Sequence, residues 1–271
     1  MTPDADEVAQ RLLAAFDAGR QIDPLTNVTP DLTMAGAYDI AARIHRLRLA
    51  RGETPAGRKI GFTNRTIWDI YNVAAPIWGW IYRDGVRFPP ADSGSVALPA
   101  LPELRIEPEI AFRFARSPSA AMTDADLAGC IDGVAHGFEL VFSLYPGWTF
   151  RAPDTAAAFG MHAGLLLGPF RDPAPLLSDG GAPLSDLSIT LDGPKTTLTG
   201  KGADVLDGPL QALRYLLTEI ARTPDAAPID PGEVVTTGTL TDAAPIAPGQ
   251  TWSTRIEGIP LSGLSVTFAH A

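Results

Sequence analysis

The chain has 271 residues, 45% hydrophobic and 19% charged, a size and balance that fit one large globular fold with a full core. Its 31 acidic against 21 basic side chains give a formal net charge of −10 with no basic run, which excludes the electrostatics of a nucleic-acid binder. The single cysteine, Cys130, can form neither an internal disulfide nor a thiolate metal cage; the acidic start Met1-Thr-Pro-Asp4 does not resemble a signal peptide, and no apolar run reaches membrane-spanning length, so a cytoplasmic location is expected.

In chain order, Val8, Leu12 and Phe16 recur every four residues between Asp6 and Ala18 and stop at Gly19, which predicts an amphipathic helix with a glycine cap. Thr33 caps a second run in which Ala37, Ile40, Ala41, Ile44 and Leu47 share a face, closed by Gly52. From about Lys59 the texture changes to short apolar runs punctuated by Gly, Pro, Asn and Asp. Trp80 to Tyr82, Glu109 to Phe114, Gly164 to Leu167 and Ser188 to Leu191 read as strands. Gly208-Pro209 opens one more helix, carried by Leu206, Leu210, Leu213, Leu217 and Ile220 and ending before Pro224. Strands resume at Val234-Val235, Thr251-Trp252 and Leu264 to Phe268. The chain therefore reads as α+β, a helical N-terminal part over 1–56 on a β-rich domain over 57–271.

The sharpest chemical signal is Arg105-Ile-Glu-Pro-Glu-Ile-Ala-Phe112. In an extended strand Glu107 and Glu109 point to one face while Ile106 and Ile110 point to the other. Two such carboxylates in an apolar setting raise each other's pKa unless a cation neutralises them, and an all-oxygen set suits a hard ion such as Mg²⁺ or Mn²⁺. Spacing alone also fits a half-exposed strand whose acids are simply hydrated. Glu139, between Phe138 and the Leu140-Val141-Phe142 run, adds a third acid where an unpaired one is costly.

Several segments together resemble the fumarylacetoacetate hydrolase superfamily, most closely its 2-keto-4-pentenoate hydratase and 4-oxalocrotonate decarboxylase branch. They are Leu32 to Asp39, Gly57-Arg-Lys-Ile-Gly-Phe-Thr63, Ala75-Pro-Ile-Trp-Gly79, Glu107-Pro-Glu-Ile-Ala-Phe112, Glu139 and Thr237-Gly-Thr-Leu-Thr241. The resemblance covers nearly the whole chain and implies a mixed β-sheet roll or barrel of that superfamily's type. It implies that Glu107, Glu109 and Glu139 hold Mg²⁺ or Mn²⁺. The implied activity is that of a metal-dependent hydro-lyase of aromatic catabolism, adding water to a 2-hydroxy-2,4-dienoate to give a 4-hydroxy-2-oxo acid. Decarboxylation of a 2-oxo-enedioate, C–C hydrolysis of an acylpyruvate, and an inactive oxo-acid-binding homologue are the alternatives.

Lys59, followed by Ile60-Gly61-Phe62 at the core edge, corresponds to the family's pocket lysine and is expected to meet the substrate carboxylate or a developing enolate; a Schiff-base role is the runner-up. His162 is the histidine placed nearest the chemistry, as a proton carrier or as a packed residue. His45, among Arg43, Arg46 and Arg48, reads as a surface residue, and His136 as core or support to the acids. Trp78, Gly79, Thr237 and Thr239 are the expected substrate contacts, with an ordinary β-turn the alternative for the threonines and core or interface packing, with Trp68, Tyr71 and Trp80, the alternative for Trp78. The chain departs from the family at Ala156-Ala-Ala-Phe-Gly-Met-His162, where an Asp-Asn-Ala-Ser pattern is commoner, and at Ile77, where relatives carry an acid. Those departures, with Trp78 and Trp80, point to a larger or more apolar substrate and to His162 replacing the lost polar groups. A homo-oligomer, dimer or higher, is expected, with aromatic residues at its interface.

Overall fold

A computed structural model describes residues 4–71, 73–89 and 94–270. Its helices are α1 (Ala5–Asp17), α2 (Leu25–Val28), α3 (Met34–Ala50), α4 (Trp68–Tyr71), α5 (Asp124–Ala128), α6 (Ala152–Ala157), α7 (Ala182–Asp186) and α8 (Pro209–Arg222). The strands are β1 (Pro55–Gly61), β2 (Ile77–Tyr82), β3 (Val86–Arg87), β4 (Gly94–Ala97), β5 (Arg105–Phe114), β6 (Ile131–Val141) and β7 (His162–Leu167). They continue with β8 (Ser188–Gly193), β9 (Thr196–Lys201), β10 (Val234–Thr239), β11 (Ala244–Pro245), β12 (Thr251–Glu257) and β13 (Ser265–Ala269).

Local chemistry sets the long helices. Asp4 caps α1 by accepting from the Asp6 amide, Thr33 caps α3 by accepting from the Gly36 amide, and Pro209 occupies the first turn of α8. Leu206, expected on the apolar face of α8, precedes that helix with φ +52°.

The main sheet runs β2-β1-β10-β5-β6-β7-β3, with β11 also on β5, and curls into a half-barrel. It is mixed: β1 lies parallel to β10 and β3 to β7, and the remaining pairs are antiparallel. A second sheet runs β4-β13-β12-β8-β9. On the outside of the half-barrel, Ile106, Phe138 and Leu140 pack in one cluster with Leu12 of α1, Ile44 of α3 and Trp252 and Phe268 of the second sheet. Further along, Ile60, Ile110, Phe112 and Val235 pack with Leu213 and Leu217 of α8. The inside is filled by a small apolar plug of Ile81, Ala111, Ala135, Leu165, Leu167 and Val234. That plug is the low-dielectric floor on which the polar groups of the next layer stand.

Candidate active site on the inner face of the half-barrel

Strand register brings the three acids together. Glu107 pairs with Glu139 and Glu109 with Gly137 across β5 and β6, and residues directly opposite one another share a face. Along the same inner face Ala111 pairs with Thr236, and Thr236 with Lys59, so the lysine arrives from two strands away. One oxygen from each of Glu107, Glu109 and Glu139 lies within 4.8 Å of the others. Glu109 and Glu139 are fully buried, and Glu107 is half-buried at the edge of a cavity.

Each buried carboxylate is held by one oxygen only. A register shift between Thr236 and Thr239 aims the Gly238 amide at Glu109 Oε2, 2.7 Å away. Gly238 has φ +101°, and a Cβ there would lie 2.0 Å from Thr63 Oγ1, so the bulge requires glycine. Glu139 Oε1 accepts from His162 Nδ1 at 2.8 Å and lies 3.3 Å from Lys59 Nζ. Among the described residues Glu109 Oε1 and Glu139 Oε2 have no other hydrogen-bond donor, and the two carboxyls lie close enough to interact with each other.

The electrostatics follow from that arrangement. Burial pushes the Glu107 carboxyl up to about 7, with Lys59 opposing the rise. Burial and then the Glu139 charge push Glu109 well above the usual carboxylate range. Burial alone would raise Glu139 as well, but the Lys59 ammonium and the His162 hydrogen bond outweigh it and hold that carboxyl down to about 2. Burial disfavours the Lys59 ammonium, yet the charges of Glu139, Glu107 and Glu109 more than offset it and raise the lysine above its ordinary value.

Lys59 is 3% exposed, and its stem packs closely against the backbone behind it. Its stem is clamped by Gly160, where a Cβ would lie 2.9 Å from Lys59 Cδ; beside it a Cβ on Gly79 would lie 2.4 Å from the Phe159 carbonyl oxygen. Phe159, Gly160 and Met161 all have positive φ, at +47°, +66° and +58°, so this buried segment holds backbone strain against the lysine.

A cavity of about 300 Å³ opens over the cluster. Lys59, Glu107, Arg105 and Thr239 make its polar side, Ile77, Val141 and Met161 give it apolar walls, and Trp148 and Asp242 also line it. The donor set fits a divalent ion. Three acids converge, all of them hard ligands, two of them carry buried oxygens with no donor among the described residues, and burial raises the carboxyls of Glu107 and Glu109, a cost that a bound cation offsets.

No protein-family model matches the chain. It is 30% identical over 260 residues to a 2-hydroxyhexa-2,4-dienoate hydratase of Comamonas testosteroni, covering 95% of this chain and 96% of the relative. The chain belongs to the hydratase and decarboxylase branch of the fumarylacetoacetate hydrolase superfamily. A 2-keto-4-pentenoate hydratase of Paraburkholderia xenovorans is 29% identical, covering 89% of this chain and 87% of the relative. Among solved structures, a 4-oxalocrotonate decarboxylase from Pseudomonas putida G7, complexed with magnesium and adipate, superposes with a TM-score of 0.87 at 26% identity over 97% of both chains. A fumarylpyruvate hydrolase from Pseudomonas aeruginosa, complexed with Mn²⁺ and pyruvate, shares the fold at a TM-score of 0.59 and 15% identity, over 79% of this chain and 89% of that one.

In this family member the expected site residues divide. Glu107, Glu109, Glu139 and Lys59 converge, Thr239 lines the cavity, and Gly79 lies against the strained segment behind Lys59. Trp78 does not reach the cavity: its ring lies on the opposite face of β2 from Gly79, stacked on Tyr38 at 5.3 Å. Trp80 is there too, between His45 and Arg58, so neither tryptophan narrows the substrate space. Thr237 is also turned away, donating to the Ile110 carbonyl, while Thr239 donates to the Thr241 carbonyl. The segment is a strand with a bulge rather than an ordinary turn.

His162 touches Glu139 but is absent from the cavity lining, and its buried Nε2 has no hydrogen-bond partner among the described residues and lies 4.0 Å from where a Cβ on Gly85 would sit. It does not stand in the cavity in place of the missing polar residues. His45, expected at the surface, stacks on Trp80 at 3.7 Å and bonds the Tyr82 hydroxyl; burial, then the charges of Arg58, Arg48 and Arg46, lower its pKa to about 4. His136 bonds the Glu109 carbonyl and Thr254, supporting the strand that carries the acids. Arg105, Trp148 and Asp242 are cavity residues that sequence reasoning did not single out. Arg105 was within reach, being two residues before Glu107 on the same strand face.

Proposed function

We propose that this protein is a divalent-metal-dependent hydro-lyase that adds water to a 2-hydroxy-2,4-dienoate, giving a 4-hydroxy-2-oxo acid, with Glu107, Glu109 and Glu139 holding Mg²⁺ or Mn²⁺. The carrying observation is that one oxygen from each of Glu107, Glu109 and Glu139 lies within 4.8 Å of the others, that Glu109 Oε1 and Glu139 Oε2 are buried with no hydrogen-bond donor among the described residues, and that Glu107 and Lys59 both line the adjoining cavity. The hydratase relatives support the reaction class. When bound, the ion supplies Lewis-acid polarisation of the substrate's 2-oxygen and a template for its carboxylate.

The chain's own residues do the rest. Lys59, kept charged by three acids, presents fixed N–H donors to the 2-oxygen or carboxylate and stabilises negative charge as it develops there. A lysine held protonated is not a nucleophile, which argues against the Schiff-base alternative. His162 acts through Glu139, fixing the carboxylate so that Oε2 points to the site. Ile77, Val141 and Met161 exclude bulk water from the hydrocarbon part of the substrate. A homo-oligomer is part of the proposal. One observation supports it: Phe88 is 64% exposed beside Phe170 and Val86.

Turnover of 2-hydroxypenta-2,4-dienoate with Mg²⁺, with Mn²⁺ and with excess chelator tests the reading. Loss of dienol absorbance with gain of one water, abolished by chelator, is expected. Turnover unaffected by chelator, or no turnover of any dienoate with metal bound, would overturn it.

A further inference from the structure

Adding water across a conjugated bond needs a group that takes a proton from the water, and His162 does not line the cavity. Among the described residues four ionisable side chains do: Lys59, Arg105, Glu107 and Asp242. Lys59 is kept protonated by the acids and lies against Glu139, an arginine stays protonated throughout, and Glu107 belongs to the acid cluster. Asp242 is left. Its carboxylate is exposed and makes no ion pair or hydrogen bond among the described residues.

Strand register places this side chain. Thr239 pairs with Glu109, the Leu240 amide donates to the Pro108 carbonyl at 2.8 Å, and Ala244 pairs with Ile106. Thr241, Asp242 and Ala243 therefore stand opposite a single residue, Glu107, so they bulge out of the sheet, and all three line the cavity. Side chains tie the bulge at its base, Thr239 Oγ1 donating to the Thr241 carbonyl at 2.7 Å and Thr241 Oγ1 to the Asp242 carbonyl at 3.1 Å. Along β5 the acids pass from fully buried Glu109 to half-buried Glu107, so the bulge lies on the open side of the cluster. A substrate whose oxo-acid head meets the acids and Lys59 extends its chain toward that side, where water enters.

We propose that Asp242 is the catalytic base of the hydration, holding the water that adds to the substrate and taking its proton. This assignment rests on the function proposed above and supplies the water-activating group that it lacks. An O–H bond of water breaks and its proton passes to an Asp242 oxygen, while the water oxygen bonds to C4 of the 2-oxo-3-enoate tautomer. The C3–C4 π pair moves to C2–C3 and the carbonyl π pair to the 2-oxygen, beside Lys59. The enolate then collapses to the ketone as C3 takes the proton back from Asp242, so one water is added and the carboxylate is restored.

The test compares variants at saturating Mg²⁺ on 2-hydroxypenta-2,4-dienoate. D242N should lower kcat by about 10²-fold or more, with KM and Mn²⁺ affinity within about 3-fold, because neither the oxo-acid head nor the ion depends on Asp242. D242A should fall as far and regain turnover in proportion to added formate, a small carboxylate that can reach an exposed position; K59M should gain nothing from formate. Turnover of D242N near that of the natural protein overturns the proposal. So does a loss in D242A that formate does not repair, or a loss that appears in KM and metal affinity rather than in kcat. A natural protein that binds metal and hydrates no dienoate defeats the hydratase reading and this assignment with it, a result distinct from an active D242N.

Discussion

Lys59 and His162 share one oxygen of Glu139, with Nζ at 3.3 Å and Nδ1 at 2.8 Å from Oε1, and this leaves Oε2 as the free oxygen of a fully buried carboxylate. The pairing sets the orientation of Glu139 before any ion arrives. His162→Ala should therefore weaken Mn²⁺ binding by about 10- to 100-fold, the usual effect of losing a group that orients a ligand. Mn²⁺ titration followed by electron paramagnetic resonance measures the affinity. Turnover should recover at saturating metal. If it stays low with the site full, His162 carries a proton in the reaction and its role is chemical.

Lys59 is 3% exposed and faces three acids. Lys59→Met leaves their charge uncompensated in a buried layer, which should cost about 3 kcal/mol in the metal-free protein at pH 8 and less once Mg²⁺ is added. Turnover should fall by about 10²- to 10³-fold even with metal bound, because a donor aimed at developing charge is gone. Lys59→Arg should not restore it, since a planar fork does not present its donors where the compact ammonium does. Urea melts with and without Mg²⁺, set beside kcat, decide the matter; an arginine variant of full activity would show that charge alone suffices.

The stability of the chelated protein should fall as pH rises. Glu107 moves from an ordinary value of 4.5 in the unfolded chain to about 7 in the fold. Between those values the folded protein keeps a proton that the unfolded chain has lost, so the stabilisation is complete below about pH 4.5 and is lost as pH climbs through 7. Glu109, raised for the same reason of burial, acts in the same direction. Glu139 acts in the opposite sense, contributing stability above 4.5 that disappears only as pH drops towards 2. Mg²⁺ should flatten the profile between pH 5 and 8 by taking the place of the protons. Chemical melts across that range test this, and a chelated protein that gains stability from pH 5 to 8 contradicts it.

How far the sequence disclosed the site depends on whether strand phase could be read locally. Glu107 and Glu109 were legible because Ile106 and Ile110 alternate with them and end in the outer core at 0% exposure. Thr33 and Gly208-Pro209 announced their helices through capping chemistry that needs no tertiary partner. Trp78 was misplaced because every residue of β2 is buried, so hydropathy gives no phase and nothing local tells that Gly79 faces Lys59 while Trp78 faces Tyr38. His45 looked exposed among arginines because the ring that covers it, Trp80, belongs to another element. Trp148 was invisible for a similar reason: its position depends on Glu103, 45 residues away in sequence.

The strained segment at Phe159 to Met161 yields the last prediction. Gly160 has φ +66°, and an added Cβ would sit 2.9 Å from Lys59 Cδ. Gly160→Ala thus carries two penalties, a left-handed backbone worth about 1 kcal/mol and a methyl group that pushes the lysine stem out of line. Stability should drop by about 1 to 2 kcal/mol, while kcat should fall by about 10- to 100-fold because a small misplacement of a positioned donor is costly. Gly52→Ala separates the two effects. Gly52 has φ +85° with nothing within 4 Å of its added Cβ, so the backbone cost remains and the clash does not. It should lose comparable stability and keep its turnover. Equal losses of kcat in the two variants would mean that the glycine matters only for folding and that the clamp on Lys59 has no part in catalysis.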